Sequence, residues 1–304
     1  DWSSDVCSSD LFVVHKFLKS IGFHKIASEA EWNKILKFVE DEFTDYERIS
    51  LEEGLDFCEL RRECGHGIGI CSYGQVDESE RYGREYYLPY FRGNGITTHA
   101  DVIVERKSDV EAYIGICEDE RIGCSLIFHL QNGIEYMIET DRGFLCKNST
   151  CVTLSGLANY GTILLPVMKN QKQVEKYQEE ADYRSNLLKA AREGDTDAIE
   201  SLTMEDIDTY TEVSARLRTE DIYTIVDTYL MPYGAECDKY SILGEIIGMS
   251  IIENTMTNEA VYVFTLDVND MQFDVCVPMD AVIGEPEIGR RFKADIWLQG
   301  YIHF

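Results

Sequence analysis

The stretch best suited to holding another molecule is Arg84-Glu-Tyr-Tyr-Leu-Pro-Tyr-Phe-Arg92. Side chains alternate across a strand. An extended backbone therefore puts Arg84, Tyr86, Leu88, Tyr90 and Arg92 on one face, with Tyr87, Pro89 and Phe91 opposite. Two guanidiniums flanking tyrosines suit a small anion or a protein partner, because Tyr and Arg dominate interface hot spots. The alternative is a sheet strand whose tyrosines pack and whose arginines pair with acids, which is ordinary for aromatic strands. A second concentration is Gly289-Arg290-Arg291-Phe292-Lys293, followed on the next strand by Trp297. A basic turn beside an exposed tryptophan is a way to hold single-stranded nucleic acid. Residues 239–304, however, carry 4 basic and 10 acidic groups. Internal ion pairs and a core or interface position for Trp297 are the expectation.

Other reactive types lie in weaker patterns. Cys58, Cys64, His66 and Cys71 fall close together, but their gaps do not fit the short knuckles of structural zinc sites. Cys64-Gly-His-Gly-Ile-Gly69 is glycine-rich, yet it has no lysine and no strand-to-helix setting, so it reads as a turn entering a strand. His99-Ala-Asp101 offers two potential ligands in what reads as a surface loop. A phosphate-binding loop, a dinucleotide fingerprint, a nucleophile elbow and a His-Glu-x-x-His helix are all missing from the sequence. No catalytic residue, metal ligand or cofactor is therefore assigned. The binding candidates are Arg84, Tyr86, Tyr90, Arg92, Arg290, Arg291 and Trp297.

Residues 1–11, Asp-Trp-Ser-Ser-Asp-Val-Cys-Ser-Ser-Asp-Leu, read as a translated sequencing-library adaptor, and such segments are set aside before fold reasoning. Val14 then reads as a GTG start codon, the alternative being that Phe12–Val14 are coding and more sequence precedes them. Setting aside Asp1, Asp5 and Asp10 changes the formal charge from −28 to −25. So acidic a chain repels nucleic acid and anionic lipid. Nine cysteines remain, an odd number with no Cys-x-x-Cys pair, and several sit in apolar runs. That usage points to thiols in a reducing compartment, the cytoplasm. No apolar run approaches a membrane span.

The elements that must position these residues follow from periodicity. Phe17, Leu18 and Ile21 form a short helical stripe ended by Gly22. Ser28-Glu-Ala-Glu31 is a capping box, and Trp32, Ile35, Leu36, Val39 and Phe43 recur at helical spacing after it. Short strand-like runs fill Leu55 to Val167, with gaps that favour antiparallel meanders. Asn132-Gly133 reads as a tight hairpin turn, although Ile134–Ile138 suits a helix equally well. Residues 171–238 read as helices over Gln173–Arg192, from Asp195 through Leu202, after a capping box at Thr203-Met-Glu-Asp206, and from Thr219 through Leu230. This section carries 7 basic and 17 acidic groups, so at least one helix face is a solvated acidic surface. Strands return from Tyr240, with a hairpin at Asn269-Asp270. The expected fold is α+β. An N-terminal helix with an antiparallel sheet occupies 12–170, a helical section 171–238, and a small OB-like β-barrel 239–304.

Four segments carry a resemblance: His15-Lys-Phe-Leu-Lys-Ser-Ile-Gly-Phe23, Arg84–Gly93, Gly194–Tyr210 and Asp227-Thr-Tyr-Leu-Met-Pro-Tyr-Gly234. Over residues 15–304 the chain resembles a domain-of-unknown-function family of clostridial (Lachnospiraceae-type) Firmicutes. The resemblance implies a cytoplasmic bacterial protein and supplies no activity, cofactor or site residue. That family starts Met-His-Lys-Phe-Leu, from which Val14 departs as a GTG start would. The leading expectation is a non-catalytic cytoplasmic binding or scaffold protein. The alternative is an enzyme whose site is assembled from separated strands, and third comes a nucleic-acid-binding barrel. A cleft holding Arg84 or Arg92 with a perturbed carboxylate or histidine would favour the enzyme. A flat exposed Tyr/Arg patch would favour the binding protein.

Overall fold

A computed structural model describes residues 14–26, 28–52, 55–107, 112–119, 121–122, 125–143, 150–167, 183–184, 186–191, 193–216 and 218–304. The adaptor-like peptide, residues 173–182 of the expected helix, Cys124 and Cys146 lie outside them.

The chain opens with a 3-10 turn, Lys16–Ile21, that buries Phe17, Leu18 and Ile21. Gly22 ends it at φ 86°, and a Cβ there would sit 3.0 Å from Asn254 and 3.2 Å from the Glu259 carbonyl. Only glycine meets both demands. Helix α1 (Glu29–Asp41) starts as its capping box requires, with Ser28 Oγ accepting from the Glu31 amide at 3.3 Å. It buries Trp32, Leu36 and Val39.

An antiparallel sheet follows in the order β1 (Asp45–Glu52), β2 (Leu55–Gly65), β3 (Ile68–Val76), β4 (Tyr82–Phe91). The strand β1 was not foreseen, because its charged, weakly alternating run Asp-Tyr-Glu-Arg-Ile-Ser carries little periodic signal. A second sheet takes in β5 (Val102–Arg106), β6 (Tyr113–Cys117) and β7 (Leu126–Leu130), then β8 (Cys151–Ala158) and β9 (Gly161–Leu164). Its later strands are β10 (Tyr229–Pro232), β11 (Lys239–Glu253), β12 (Ala260–Val268), β13 (Met271–Pro278), β14 (Val282–Ile283) and β15 (Arg291–His303).

Five of these strands close a circuit. β11 pairs with β12, β12 with β13, β13 in parallel with β8, β8 with β15, and β15 again with β11. The C-terminal stretch thus supplies four members of the ring, and the fifth, β8, comes from before the helical section. Phe264, Phe273, Phe292 and Leu298 fill the ring's apolar interior. Asn269 and Asp270 form the expected β12–β13 hairpin, both at positive φ (53° and 61°), as a primed turn needs.

Three local expectations are corrected. Asn132-Gly133 is no hairpin turn but the entry to helix α2 (Gly133–Asp141). There the Asn132 side chain is committed to the far end of the chain: its Nδ2 donates to the Ile302 carbonyl and its Oδ1 accepts from the Ile302 amide. The box at Thr203 starts nothing. One helix, α3 (Thr196–Arg216), runs through it, and Thr203 Oγ1 donates back to the Ile199 carbonyl at 2.8 Å. Asp195 alone caps this helix, accepting from the amides of Asp197 and Ala198. The last helix is only α4 (Ile222–Ile225), capped by Asp221, and Tyr229 and Leu230 belong to β10 because β11 offers them a ladder. Among the described residues, no helix is long and apolar enough to cross a membrane.

The two sheets are joined by the 3-10 turn and by a seam of amides. Cys276 Sγ donates to the Ser20 carbonyl and Ser20 Oγ to Asn159 Oδ1. Gln299 Oε1 accepts from the Phe91 amide at 3.1 Å, and its Nε2 donates to the Pro89 carbonyl at 3.0 Å. Gln131 Nε2 donates to the Phe91 carbonyl at 2.7 Å and to Gln299 Oε1 at 2.9 Å.

Candidate functional site

The candidates on β4 do not share a face. The register passes from Tyr73↔Tyr86 to Gly74↔Arg84, leaving Glu85 as an extra residue. A bulge reverses the alternation on its two sides, so Arg84 joins the Tyr87 face and leaves that of Tyr86, Leu88 and Tyr90. Gly74 makes the bulge feasible, since a Cβ there would meet the Gly83 carbonyl at 2.3 Å. Arg84 lies under α1, where it pairs with Glu40, and Glu40 also accepts from Ser72 Oγ. Tyr87 packs on Trp32 with ring centroids 5.1 Å apart.

On the opposite face Tyr86 stacks on Tyr73, 4.6 Å between centroids and 15° between planes. Tyr90 covers Gly69, where a Cβ would sit 2.5 Å from its hydroxyl. Arg92 lies beyond the strand, with its guanidinium 4.2 Å above the Tyr301 ring.

Of the candidates, Tyr90 and Arg92 line a small cleft and Tyr86 does not; the cleft floor is one the sequence reading missed. Glu59 and Arg61 on β2 are both buried, 1% and 6% exposed. Arg61 Nε donates to Glu59 Oε1 at 2.7 Å, Nη1 to Asp45 Oδ2 at 3.3 Å and Nη2 to the Gln131 carbonyl at 3.1 Å. Cys71 Sγ and Tyr73 Oη donate to the same Glu59 oxygen at 3.3 and 3.4 Å. Burial raises the Glu59 carboxyl above its ordinary range, while Arg61 opposes that shift. Burial also pushes the Cys71 thiol well up, so it is a weak hydrogen-bond donor and no nucleophile. His129 stands at the cleft wall against Trp297, ring centroids 5.2 Å apart. Burial holds its pKa down to about 3, so the ring is neutral. The empty volume of about 290 Å³ includes the open mouth, which leaves room for water or a small group only.

The sequence did hold one signal for this cluster. Phe57, Glu59 and Arg61 alternate with Cys58 and Leu60, so opposite charges two residues apart share a strand face.

The basic turn is internally satisfied. Arg290 pairs with Glu287 at 2.8 Å and donates to the Glu285 carbonyl. Arg291 is 7% exposed and donates to the carbonyls of Leu165, Tyr223, Val226 and Asp227. Trp297 is 5% exposed, stacks on Phe17, and donates from Nε1 to Asp238 Oδ2 at 3.0 Å. None of the three offers a flat exposed platform.

Cys58 and Cys71 are buried on opposite faces of the first sheet, and Cys64 lies 3.4 Å from the Met256 sulfur. No group of three or more metal-ligating side chains gathers among the described residues.

An exposed surface assembled by the fold had no counterpart in the sequence reading. Phe38 and Phe43, at the end of α1, and Tyr46, on β1, are 41%, 42% and 56% exposed. Phe43 and Tyr46 meet edge to face at 5.6 Å. Arg62 lies 5.0 Å over the Phe38 ring and donates from Nη1 to the Glu42 carbonyl at 2.5 Å. Three partly exposed aromatics and an arginine thus gather where the end of α1 meets β1 and β2.

A family model described as "Domain of unknown function, E. rectale Gene description (DUF3881)" matches residues 18–300. No curated protein and no solved structure matches the chain.

Proposed function

The chain belongs to that domain-of-unknown-function family, and from this premise we propose that it is a non-catalytic binding or scaffold protein of the bacterial cytoplasm, in a clostridial Firmicute. The observation that carries the reading is the exposed Phe38, Arg62, Phe43 and Tyr46 surface beside the edge strand β1. Aromatic and arginine side chains supply most hot-spot energy in protein interfaces, and here three aromatics stand partly in solvent. The circuit of β8, β11, β12, β13 and β15 supports reading the C-terminal half as a small OB-like barrel, with β8 as its fifth strand. In this reading the barrel is a rigid base for the open sheet.

The test is affinity capture from the native organism with cross-link mapping. Wild type is compared with a Phe43→Ala, Tyr46→Ala double variant. A partner cross-linked near β1 and lost with the variant is the expected result. Partners held equally by both proteins would overturn the reading.

An enzyme remains the second reading, because Arg92, Glu59 and His129 line one cleft and burial perturbs the last two. It ranks second because Glu59 Oε1 already takes three protein donors, which leaves that oxygen little capacity for a substrate. A nucleic-acid-binding barrel ranks third, since Arg291 and Trp297 are buried and the surrounding charge is negative.

A further inference from the structure

Helix α3 carries more apolar surface than the fold covers. Ala198 is buried and Leu202 and Val213 are half-buried, so that side of the helix packs. Residues three and four apart are neighbours on a helix. By that spacing Ile199, Thr203, Ile207 and Tyr210 form a further, uncharged row. Ile199, Ile207 and Tyr210 are 47%, 55% and 75% exposed. The next row, one residue further along the chain, is Glu200, Met204, Asp208 and Thr211, and all four are exposed. An amphipathic helix ordinarily turns its whole apolar arc to a core, whereas α3 leaves part of that arc in solvent.

The charge around this stripe has one sign. Thr196–Arg216 holds six carboxylates, at Asp197, Glu200, Glu205, Asp206, Asp208 and Glu212, and one cation, Arg216. Arg184 pairs with Glu205 and Asp206 at 3.5 and 2.8 Å, and Arg216 with Glu220 at 2.8 Å. Among the described residues no cation pairs with Asp197, Glu200 or Asp208. Glu200 and Asp208 stand in the row beside Ile199 and Ile207. A second copy of the chain would set the same six carboxylates against them, and an anionic bilayer would add more negative charge. Both are repelled, whereas a surface carrying cations complements the face.

We propose that the outer face of α3 docks a basic amphipathic helix of a partner protein. Its aliphatic side chains, three and four residues apart, would lie over Ile199, Ile207 and Tyr210, and its lysines or arginines would reach Glu200 and Asp208. Rows at that spacing interdigitate when two helices pack. Tyr210 is the anchor: it is the most exposed large apolar side chain among the described residues, and tyrosine is a common hot-spot type. The apolar row would give affinity, and the carboxylates would select the partner's charge and speed its approach. The proposal rests on the reading of the chain as a binding protein, but on a different element from Phe43 and Tyr46.

The experiment uses the full chain and two helical peptides of identical lysine, leucine and alanine composition. One places its leucines on a single face, and the other scatters them around the helix. Fluorescence anisotropy at physiological salt should show the one-faced peptide binding about tenfold more tightly. Ile207→Ser with Tyr210→Ser should remove that advantage, with an unchanged thermal midpoint showing that the variant is folded. Glu200→Gln with Asp208→Asn should weaken binding and flatten its salt dependence. Phe43→Ala with Tyr46→Ala should bind as wild type does. Equal affinity of the two peptides, no binding, or binding untouched by the α3 variants would each overturn the proposal. Because the peptide comparison needs no variant, misfolding cannot mask the answer. A concentration-dependent dimer abolished by Ile207→Ser with Tyr210→Ser would give the face to a second copy and overturn it as well. Loss of the peptide in the Phe43→Ala, Tyr46→Ala variant would end this proposal and leave the binding-protein reading standing.

Discussion

The circuit of β8, β11, β12, β13 and β15 and the open sheet β1–β4 solve the same problem in different ways. In the circuit each member strand has a partner on both sides along part of its length, so an apolar interior suffices to hold it. The open sheet ends at β1, which among the described residues pairs with β2 alone, places an ion pair in its interior at Glu59–Arg61, and bends at three bulges. Closure pairs the backbone of each member strand on both sides along part of its length, whereas among the described residues β1 is paired on one side.

The largest expected effect tests the closed region. Phe264 is fully buried, 4.9 Å from the Phe292 ring. Phe264→Ala should cost about 4 kcal/mol in urea unfolding, whereas Phe43→Ala at the open edge should stay within about 0.5 kcal/mol. Similar losses at both positions would erase the distinction.

A smaller loss probes the polar interior. Arg61→Met strands the buried Glu59 without its cation and should cost about 3 kcal/mol. Adding Glu59→Leu should restore most of it, and a double variant no better than the single would show that the pair does not act as a unit.

The junction of the two regions should respond to pH. The free histidine pKa is near 6.5, and His129 is held to about 3 when folded. As pH falls below 6.5 the unfolded chain takes up a proton that the folded chain refuses, so stability declines. The His129 share should approach 2 kcal/mol between about pH 6.5 and 5. His15, lowered to about 4 chiefly by burial, adds to it with the same sign. His129→Gln should flatten this part of the profile, and an unchanged slope would assign the loss to other groups. The smallest effect belongs to α1, the cover of the open sheet. Removing the Oγ that caps Glu31 in Ser28→Ala should cost about 1 kcal/mol, read from the same denaturation curves.

Local signals were legible where the neighbours that decide a residue's state are close in sequence. The Ser28–Glu31 box, the Gly22 stop and the Asn269-Asp270 hairpin all stand as read. Distant partners changed the rest. Asn132 turns into a helix entry because Ile302 supplies both of its hydrogen bonds, and Tyr229 becomes a strand because β11 lies beside it. Leu88 and Tyr90 on β4, and Arg92 just beyond it, reach the cleft, as the alternation implied. One bulge sends Arg84 to the other face. The cleft floor was hidden because β2 and β3 must pair before Glu59, Arg61, Cys71 and Tyr73 meet.

The parallel pairing of β8 with β13 carries a consequence for synthesis. β8 ends at Ala158, while β15, its other partner, runs to His303. A ribosome adding about 5–20 residues per second leaves β8 waiting on the order of ten to thirty seconds for its last neighbour. During that interval its apolar side chains Val152 and Leu154, buried in the finished fold, have no ring to enter. The strands of the first sheet all precede β8, but the C-terminal half can close only late. Nascent chains stalled before residue 291 should therefore hold β8 open to proteases and chaperones, and release should bury it in a single step.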